Sequence, residues 1–385
     1  MAEILENGRR IFLAGGASGG HLYPGLAIAE AIRRLQPEAA IAFSCTRREI
    51  DKKVLAGCGY PVTALSARPF GMKPWKWPGF AISLAVTGHQ ARVRLREFCP
   101  EVVIGLGGFG SYAPVRAAQK YGIATCVLNP DIVPGRANRR LARRADRVFC
   151  QFQETVDAIG PAGRLTGCPV RPSLLGAGRA EGVAALKLDP ALRTLLVTGA
   201  SLGAQTVNRA VVAMLAERGL PDGWQVLHLT GHSEFDEVSA AYRDVRAPVL
   251  VRAYCDKMGL AYAAADLAIA RSGASTLAEL LALGVPSVVL PYPFHRDQHQ
   301  MIQARAAERL GALVVVEDVP SDPAGTWRRL AEALDPLMRD AARLAALREK
   351  ARAAGRPDAA TDIARQILEL ADAATERRHA ELAHI

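Results

Sequence analysis

His21 closes the stretch Gly15-Gly16-Ala17-Ser18-Gly19-Gly20, which follows the apolar run Ile11 to Ala14 and precedes the helical pattern Leu22, Leu26, Ile28, Ala29 and Ile32. Strand, glycine loop and helix in this order make a phosphate cradle, because glycines let the backbone approach an anion and the first helical N–H groups face it. An imidazole at that position can take a proton from a hydroxyl nucleophile. The competing reading is a tight turn that packs helix on strand. The loop is not GxGxxG, and no acidic ribose partner follows at the usual spacing, which disfavours a dinucleotide.

A second polar group lies at 270–303. Leu267 to Ala270 forms an apolar run that ends in Arg271-Ser272-Gly273, then Ala274, Ser275, Thr276 and Glu279 lead a helical pattern to Gly284, and Pro286 to Pro291 is the next apolar run. This is a βαβ unit of a parallel sheet, whose ligands gather at the carboxyl ends of the strands, and we expect a donor site there. Glu279 has two roles open to it. It can close a capping box begun by Thr276, or accept both hydroxyls of a ribose. His295 and His299 stand four apart with no glutamate or third ligand, so no metal is expected. A sugar-binding loop accounts better for His299 and Gln300. Arg171, set between Pro169 and Pro172, is either a linker ion pair or a clamp for a diphosphate.

The elements that must hold these residues form two α/β series. The first has strands at Ile11–Ala14, Ile41–Ser44, Val62–Leu65, Val102–Gly105, Thr125–Leu128 and Arg147–Cys150, with a second glycine turn, Gly105-Leu106-Gly107-Gly108, at the same sheet edge as the first. Two such loops at one edge favour a ligand. Gly176 to Pro190 reads as the linker region. The second series runs Thr194–Thr198, Val226–Leu229, Val249–Arg252, Leu267–Ala270, Ser287–Leu290 and Leu313–Val316, and its first strand opens into Gly199-Ala200-Ser201-Leu202-Gly203. Two helical segments follow, near Trp327 to Ala353 and from Asp358 to about Ala380. In the latter Ile363, Ile367, Leu370 and Ala374 line one face, which must pack on something.

At 385 residues, half of them hydrophobic and 22% charged, the chain is globular and long enough for two cores. Its longest uncharged stretches are broken by Gly, Pro or charge well before the roughly 18 residues of a spanning helix, and Met1 to Arg10 lacks the apolar core of a signal peptide, so a cytoplasmic protein is expected. The seven cysteines are scattered without metal spacing, and neither disulfide nor zinc is assigned. A net charge of +10 favours an anionic partner. The segment Arg68 to Phe80 mixes Phe70, Trp75, Trp77 and Phe80 with cations and three prolines. It reads as a loop, either at a lipid headgroup interface or folded back on its domain. The basic run Arg136 to Arg144 is a solvated helix face or a supplement to attraction by anionic lipid. As nucleic-acid binding it stands alone, without a recognition motif, and no nucleic acid is expected as a partner.

Several of these motifs, in order, resemble the MurG family of peptidoglycan glycosyltransferases over nearly the whole chain. GGASGGHLYPGLAIAEAI at 15–32 resembles the family's GGTGGHxxPxLAxA, with Ser18 at the threonine. GLGGFGSYAPVRAA at 105–118 is similar to its second loop, GCPVR at 167–171 to GNPVR, TGASLGAQTVN at 198–208 to GGSQGAxxxN, and ARSGASTLAELLALGVPSVVLPYP to RSGAxTxxExxxxGxPxxxxPxP. The resemblance implies a GT-B fold: two doubly wound Rossmann-like α/β domains facing across a cleft, with a C-terminal helix packing back on the N-terminal domain. The expected bounds are 1–172 for the acceptor and membrane domain, 173–355 for the UDP-sugar domain and 356–385 for the returning helix.

It also implies inverting transfer of N-acetylglucosamine from UDP-GlcNAc to undecaprenyl-pyrophosphoryl-MurNAc-pentapeptide, at an anionic membrane surface on the cytoplasmic face. No cofactor or metal takes part. His21 is then the base. The acceptor diphosphate falls to Gly15, Gly16, Gly19, Gly20, Gly107 and Gly108. The donor falls to Cys255 (uracil, through its backbone), Glu279 (ribose), Ser201 (phosphate), and Ala274, Ser275, Thr276, His299 and Gln300 (sugar), with Ser18, Gly19, Asp131 and Arg171 completing its contacts. Phe70, Trp75, Trp77 and Phe80 meet the membrane. One departure stands out: where the family has HEQN this chain has Leu128-Asn129-Pro130-Asp131, so the family's sugar-contacting asparagine falls at Asp131. The alternatives are a divergent paralogue with another UDP-sugar or acceptor, and an inactive GT-B scaffold.

Overall fold

Short uninterrupted apolar runs, each ending in glycine or a polar turn, are what strands covered on both faces require, and they assemble here into parallel sheets. A computed structural model describes residues 8–16, 19–69, 77–199, 203–295 and 297–383, the last six by backbone only. Ser18, Phe70, Trp75 and Ser201 lie outside the described residues. The chain forms two units, Met1–Arg171 with Asp358–Ile385, and Pro172–Pro357.

The first unit holds β1 (Arg10–Ala14), β2 (Ala40–Thr46), β3 (Val62–Leu65), β4 (Val102–Gly105), β5 (Ala124–Asn129), β6 (Arg147–Cys150) and β7 (Gly163–Leu165), ordered β3-β2-β1-β4-β5-β6-β7. All pairings among them are parallel. The second unit holds β8 (Arg193–Thr198), β9 (Trp224–Leu229), β10 (Val249–Arg252), β11 (Leu267–Ala270), β12 (Ser287–Val289) and β13 (Val314–Val315), ordered β10-β9-β8-β11-β12-β13, again parallel. In each sheet the order reverses beside the first strand, between β1 and β4 and between β8 and β11. Loops leaving the carboxyl ends there diverge and open a crevice for a ligand.

The helix Ala359–Ala383 belongs to the first unit. Its Ala360, Ile363, Ala364, Ile367 and Ala371 are buried with Ile28 and Ile32 of the helix Gly19–Leu35 in one core. Arg9 bonds Asp372 at 2.6 Å, and Arg147 donates to the Gln366 carbonyl and to Glu369.

Three expectations need correction. The stretch read as a linker contains the helix Arg179–Leu186, docked on the helix Met258–Ala264 so closely that a Cβ at Gly182 would lie 2.4 Å from the Leu260 carbonyl. Glycine there serves packing. The aromatic loop ends by 77, because Trp77 and Phe80 already belong to the helix Trp77–Phe98. The segment near Trp327 is two helices, Pro323–Arg339 and Ala341–Ala354, broken where Asp340 accepts from the amides of Ala342 and Arg343 as an N-cap. Among the described residues no helix is long and apolar enough to cross a membrane.

Candidate active site

In the first unit the loops after β1 and β4 meet directly. Gly107 and Gly108 have φ of +101° and +71°, and a Cβ on Gly108 would lie 2.2 Å from the Gly16 carbonyl oxygen. A Cβ on Gly107 would lie 2.7 Å from the His21 ring. Only glycine allows both the backbone angles and the approach. The imidazole therefore sits against both loops, in the first turn of the helix Gly19–Leu35, and hydrogen-bonds to the Gly16 carbonyl. That bond fixes the ring. Burial pushes the His21 pKa below its ordinary value; the carboxylates of Asp131 and Asp51 and the Gly16 bond pull in the opposite direction. The ring is thus neutral at neutral pH, with two carboxylates placed to stabilise its protonated form. Asp51, tied to the Thr46 hydroxyl at 2.5 Å and to its amide at 3.0 Å, left no sign of this role in the sequence.

Asp131 reaches the same place through a pinned turn. Asn129 donates to the Asp131 carbonyl at 2.7 Å, and Asn138 donates to the Leu128 carbonyl and the Asn129 side chain, both at 3.0 Å. The sequence that replaces HEQN is therefore an ordered turn. His21 and Asp131 line one cavity of about 730 Å³, together with Phe80 and Tyr112. Arg136, Arg139, Arg140 and Arg143 also line it, so the basic run is cavity wall as well as exposed helix face. The arrangement suits a ligand both anionic and partly apolar. Trp77 is 51% exposed, while Phe80 is half-buried in the cavity wall. Arg171 makes no ion pair among the described residues; its guanidinium stacks 4.1 Å from the centroid of the Tyr23 ring, beside the first glycine loop.

In the second unit the turn after β11 is held from beneath. Arg271 donates to the carbonyls of Leu290 and Pro291, to Asp318 at 2.7 Å and to the Thr206 hydroxyl at 2.6 Å, all with little water access. A buried arginine whose two terminal nitrogens are paired in this way ties together the loops after β11 and β12. Ser272 donates to the Gln300 carbonyl, Gln303 donates to the Ser272 carbonyl, and the Gln300 side chain accepts from the Tyr292 amide. His299 and Gln300 are thereby stitched to the turn that begins the helix Ala274–Leu283.

That helix is capped by Gly273, without a side-chain cap bond, so Ala274, Ser275 and Thr276 form its first turn. The capping box is overturned. Glu279, a turn further on, accepts from the Tyr262 hydroxyl at 2.8 Å instead. Tyr262 went unnoticed in the sequence, because nothing in its spacing pointed to Glu279. Cys255 is buried beyond β10, and the Gly231 amide bonds the Ala253 carbonyl beside it. Asp297, which the spacing of His295 and His299 left out of account, lies beside them, and one potential ligand atom from each of the three falls within 4.8 Å of the others.

Residues 11–150 match the glycosyltransferase family 28 N-terminal domain, and residues 194–363 match the family 28 C-terminal domain. The UDP-N-acetylglucosamine--N-acetylmuramyl-(pentapeptide) pyrophosphoryl-undecaprenol N-acetylglucosamine transferase of Desulforudis audaxviator is 36% identical over 377 residues, 95% of this chain and 100% of that protein. The transferase of the same name from a Nocardioides species is 38% identical over 370 residues, 94% of this chain and 98% of its own. Among solved structures, MurG of Acinetobacter baumannii superposes with a TM-score of 0.74 at 22% identity, covering 94% of this chain and 99% of that one. A UDP-GlcNAc 2-epimerase from Neisseria meningitidis bound to UDP-GlcNAc gives 0.67 at 13%, covering 94% and 100%. These two likenesses show the two-sheet fold.

Proposed function

The chain belongs to the MurG transferases of glycosyltransferase family 28, and on that premise we infer how its own residues carry the reaction. It is an inverting, UDP-GlcNAc-dependent glycosyltransferase that passes N-acetylglucosamine to lipid-linked N-acetylmuramoyl-pentapeptide in peptidoglycan synthesis. The observation that carries this reading is the likeness to transferases of that name along nearly the whole chain.

In our reading the unit Pro172–Pro357 takes the donor. Glu279 accepts the ribose hydroxyls, with its carboxylate oriented by Tyr262. Backbone near Cys255 reads the uracil, and the Ser201 turn takes phosphate. Ala274, Ser275, Thr276, His299 and Gln300 border the sugar, stitched together through Ser272. The N-terminus of the helix Ala274–Leu283 meets the diphosphate with the positive end of its dipole.

The first unit takes the acceptor. Amides of the two glycine loops and the arginines of the cavity wall meet its diphosphate, with Arg171 nearby. His21 removes the proton of the acceptor hydroxyl. That oxygen bonds to the anomeric carbon as the bond from this carbon to UDP breaks, its electron pair leaving with the nucleotide. One displacement of this kind inverts the configuration. Asp131 and Asp51 stabilise the imidazolium that results. Helix dipoles and arginine offset the charge on UDP.

Exposed apolar side chains at Ile82, Val86 and Val93 share one face of the helix Trp77–Phe98, and with Trp77 and the net positive charge they favour peripheral contact with an anionic cytoplasmic membrane face. The test is release of UDP from UDP-GlcNAc with a short-chain lipid-linked muramoyl-pentapeptide. Release that requires this acceptor supports the reading. Release only with another UDP-sugar or acceptor would mean a paralogue, and none at all a scaffold.

A further inference from the structure

The turn between β12 and the helix His299–Arg309 brings together a second kind of chemistry. Gln298 takes φ +44° and ψ +28°, the left-handed region that a residue with a side chain seldom occupies. The bend carries Asp297 back to His299, and Asp297 Oδ1 lies 2.8 Å from His299 Nδ1. The His295 and His299 rings stack with centroids 4.4 Å apart and planes at 25°. Tyr292 packs edge-on against His295 at 4.7 Å. One ligand atom from each of His295, Asp297 and His299 thus falls within 4.8 Å of the other two.

Two imidazoles and one carboxylate suit a borderline divalent ion such as zinc or cobalt, whereas calcium and magnesium prefer oxygen alone. Three protein ligands leave a fourth position of a tetrahedral ion to water. The metal would replace the hydrogen bond between His299 Nδ1 and Asp297 by two bonds to itself, with the imidazole proton left on Nε2. We propose that His295, Asp297 and His299 form a binding site for a zinc-class divalent ion, and that its occupancy blocks donor-sugar binding by capturing His299. The blocking half rests on the donor role assigned to His299 above; the binding half does not.

The experiment uses the full-length protein, freed of metal with a chelator and titrated with cobalt chloride while the visible absorption is followed. A low-coordinate cobalt spectrum, displaced by equimolar zinc and weakened roughly tenfold or more by His295→Gln, is expected. No such spectrum, or equal affinity in the variant (an adventitious ion only), overturns the site. UDP release is then measured at zinc concentrations that fill it, each protein against its own zinc-free rate. Wild type should slow and His295→Gln should not. Zinc bound through His295 with wild-type turnover unchanged overturns the blocking half and leaves the site standing. Absence of turnover in zinc-free wild type is a failure of the functional reading alone, and the cobalt titration still decides the site.

Discussion

The Tyr262 hydroxyl donates to the carboxylate of Glu279 at 2.8 Å, and the helix that carries Glu279 is capped elsewhere, at Gly273. The carboxylate is therefore oriented by a residue of a neighbouring helix.

Glu279→Ala should weaken UDP binding about ten- to a hundredfold, as for loss of hydrogen bonds to a charged acceptor, with little change in melting temperature. Tyr262→Phe should weaken it less, about fivefold, because it frees the carboxylate without removing it. Calorimetry with UDP beside a melting curve decides the matter. Lost stability with intact affinity would return Glu279 to a structural role.

His21→Ala should cut turnover by about two to four orders of magnitude and leave UDP affinity unchanged. Because burial lowers the His21 pKa, the acid limb of kcat/KM should lie below the ordinary histidine value of about 6.5. Asp131 raises that pKa, so Asp131→Asn should move the limb to still lower pH while keeping much of the rate at neutral pH. A limb that stays put, with the rate lost as fully as in His21→Ala, would make Asp131 the base.

Ile82→Ser with Val86→Ser should reduce co-sedimentation with anionic vesicles and spare turnover of a short-chain acceptor, since both side chains are exposed and lie outside the cavity wall. Unchanged sedimentation would remove this face from the membrane contact.

Buried His228, bonded to the Tyr242 hydroxyl at 2.8 Å and to Asn208 at 3.0 Å, is pushed by desolvation down to a pKa of about 3. The unfolded chain binds this proton more readily. Its contribution to stability is thus complete above about 6.5 and is lost progressively as pH falls toward 3. The imidazole resonances in the folded protein should show no titration down to pH 5, and a midpoint near 6.5 would refute the burial argument.

The strands were legible because a parallel strand covered on both faces must be an apolar run, and those of β1, β4, β8 and β11 are almost wholly buried. β7 was not, since its three residues, Gly163-Arg164-Leu165, include only one that is buried. The helix Arg179–Leu186 was mistaken for linker because the glycine that weakens its propensity is the one that lets it dock. In the site, glycine loops and His21 could be read from local order. Asp51, Tyr262 and the convergence on Asp297 could not. The first two depend on register across elements, and the last on one left-handed residue.

Because Ala360, Ile363, Ala364 and Ile367 complete the core around Ile28 and Ile32, the first unit is assembled from segments on either side of the second. On the ribosome that core stays open until the segment after Pro357 has emerged, so the unit made second is free to finish folding first. Until then the nascent first unit exposes an apolar groove, and a stop codon shortly after Pro357 would leave it so permanently.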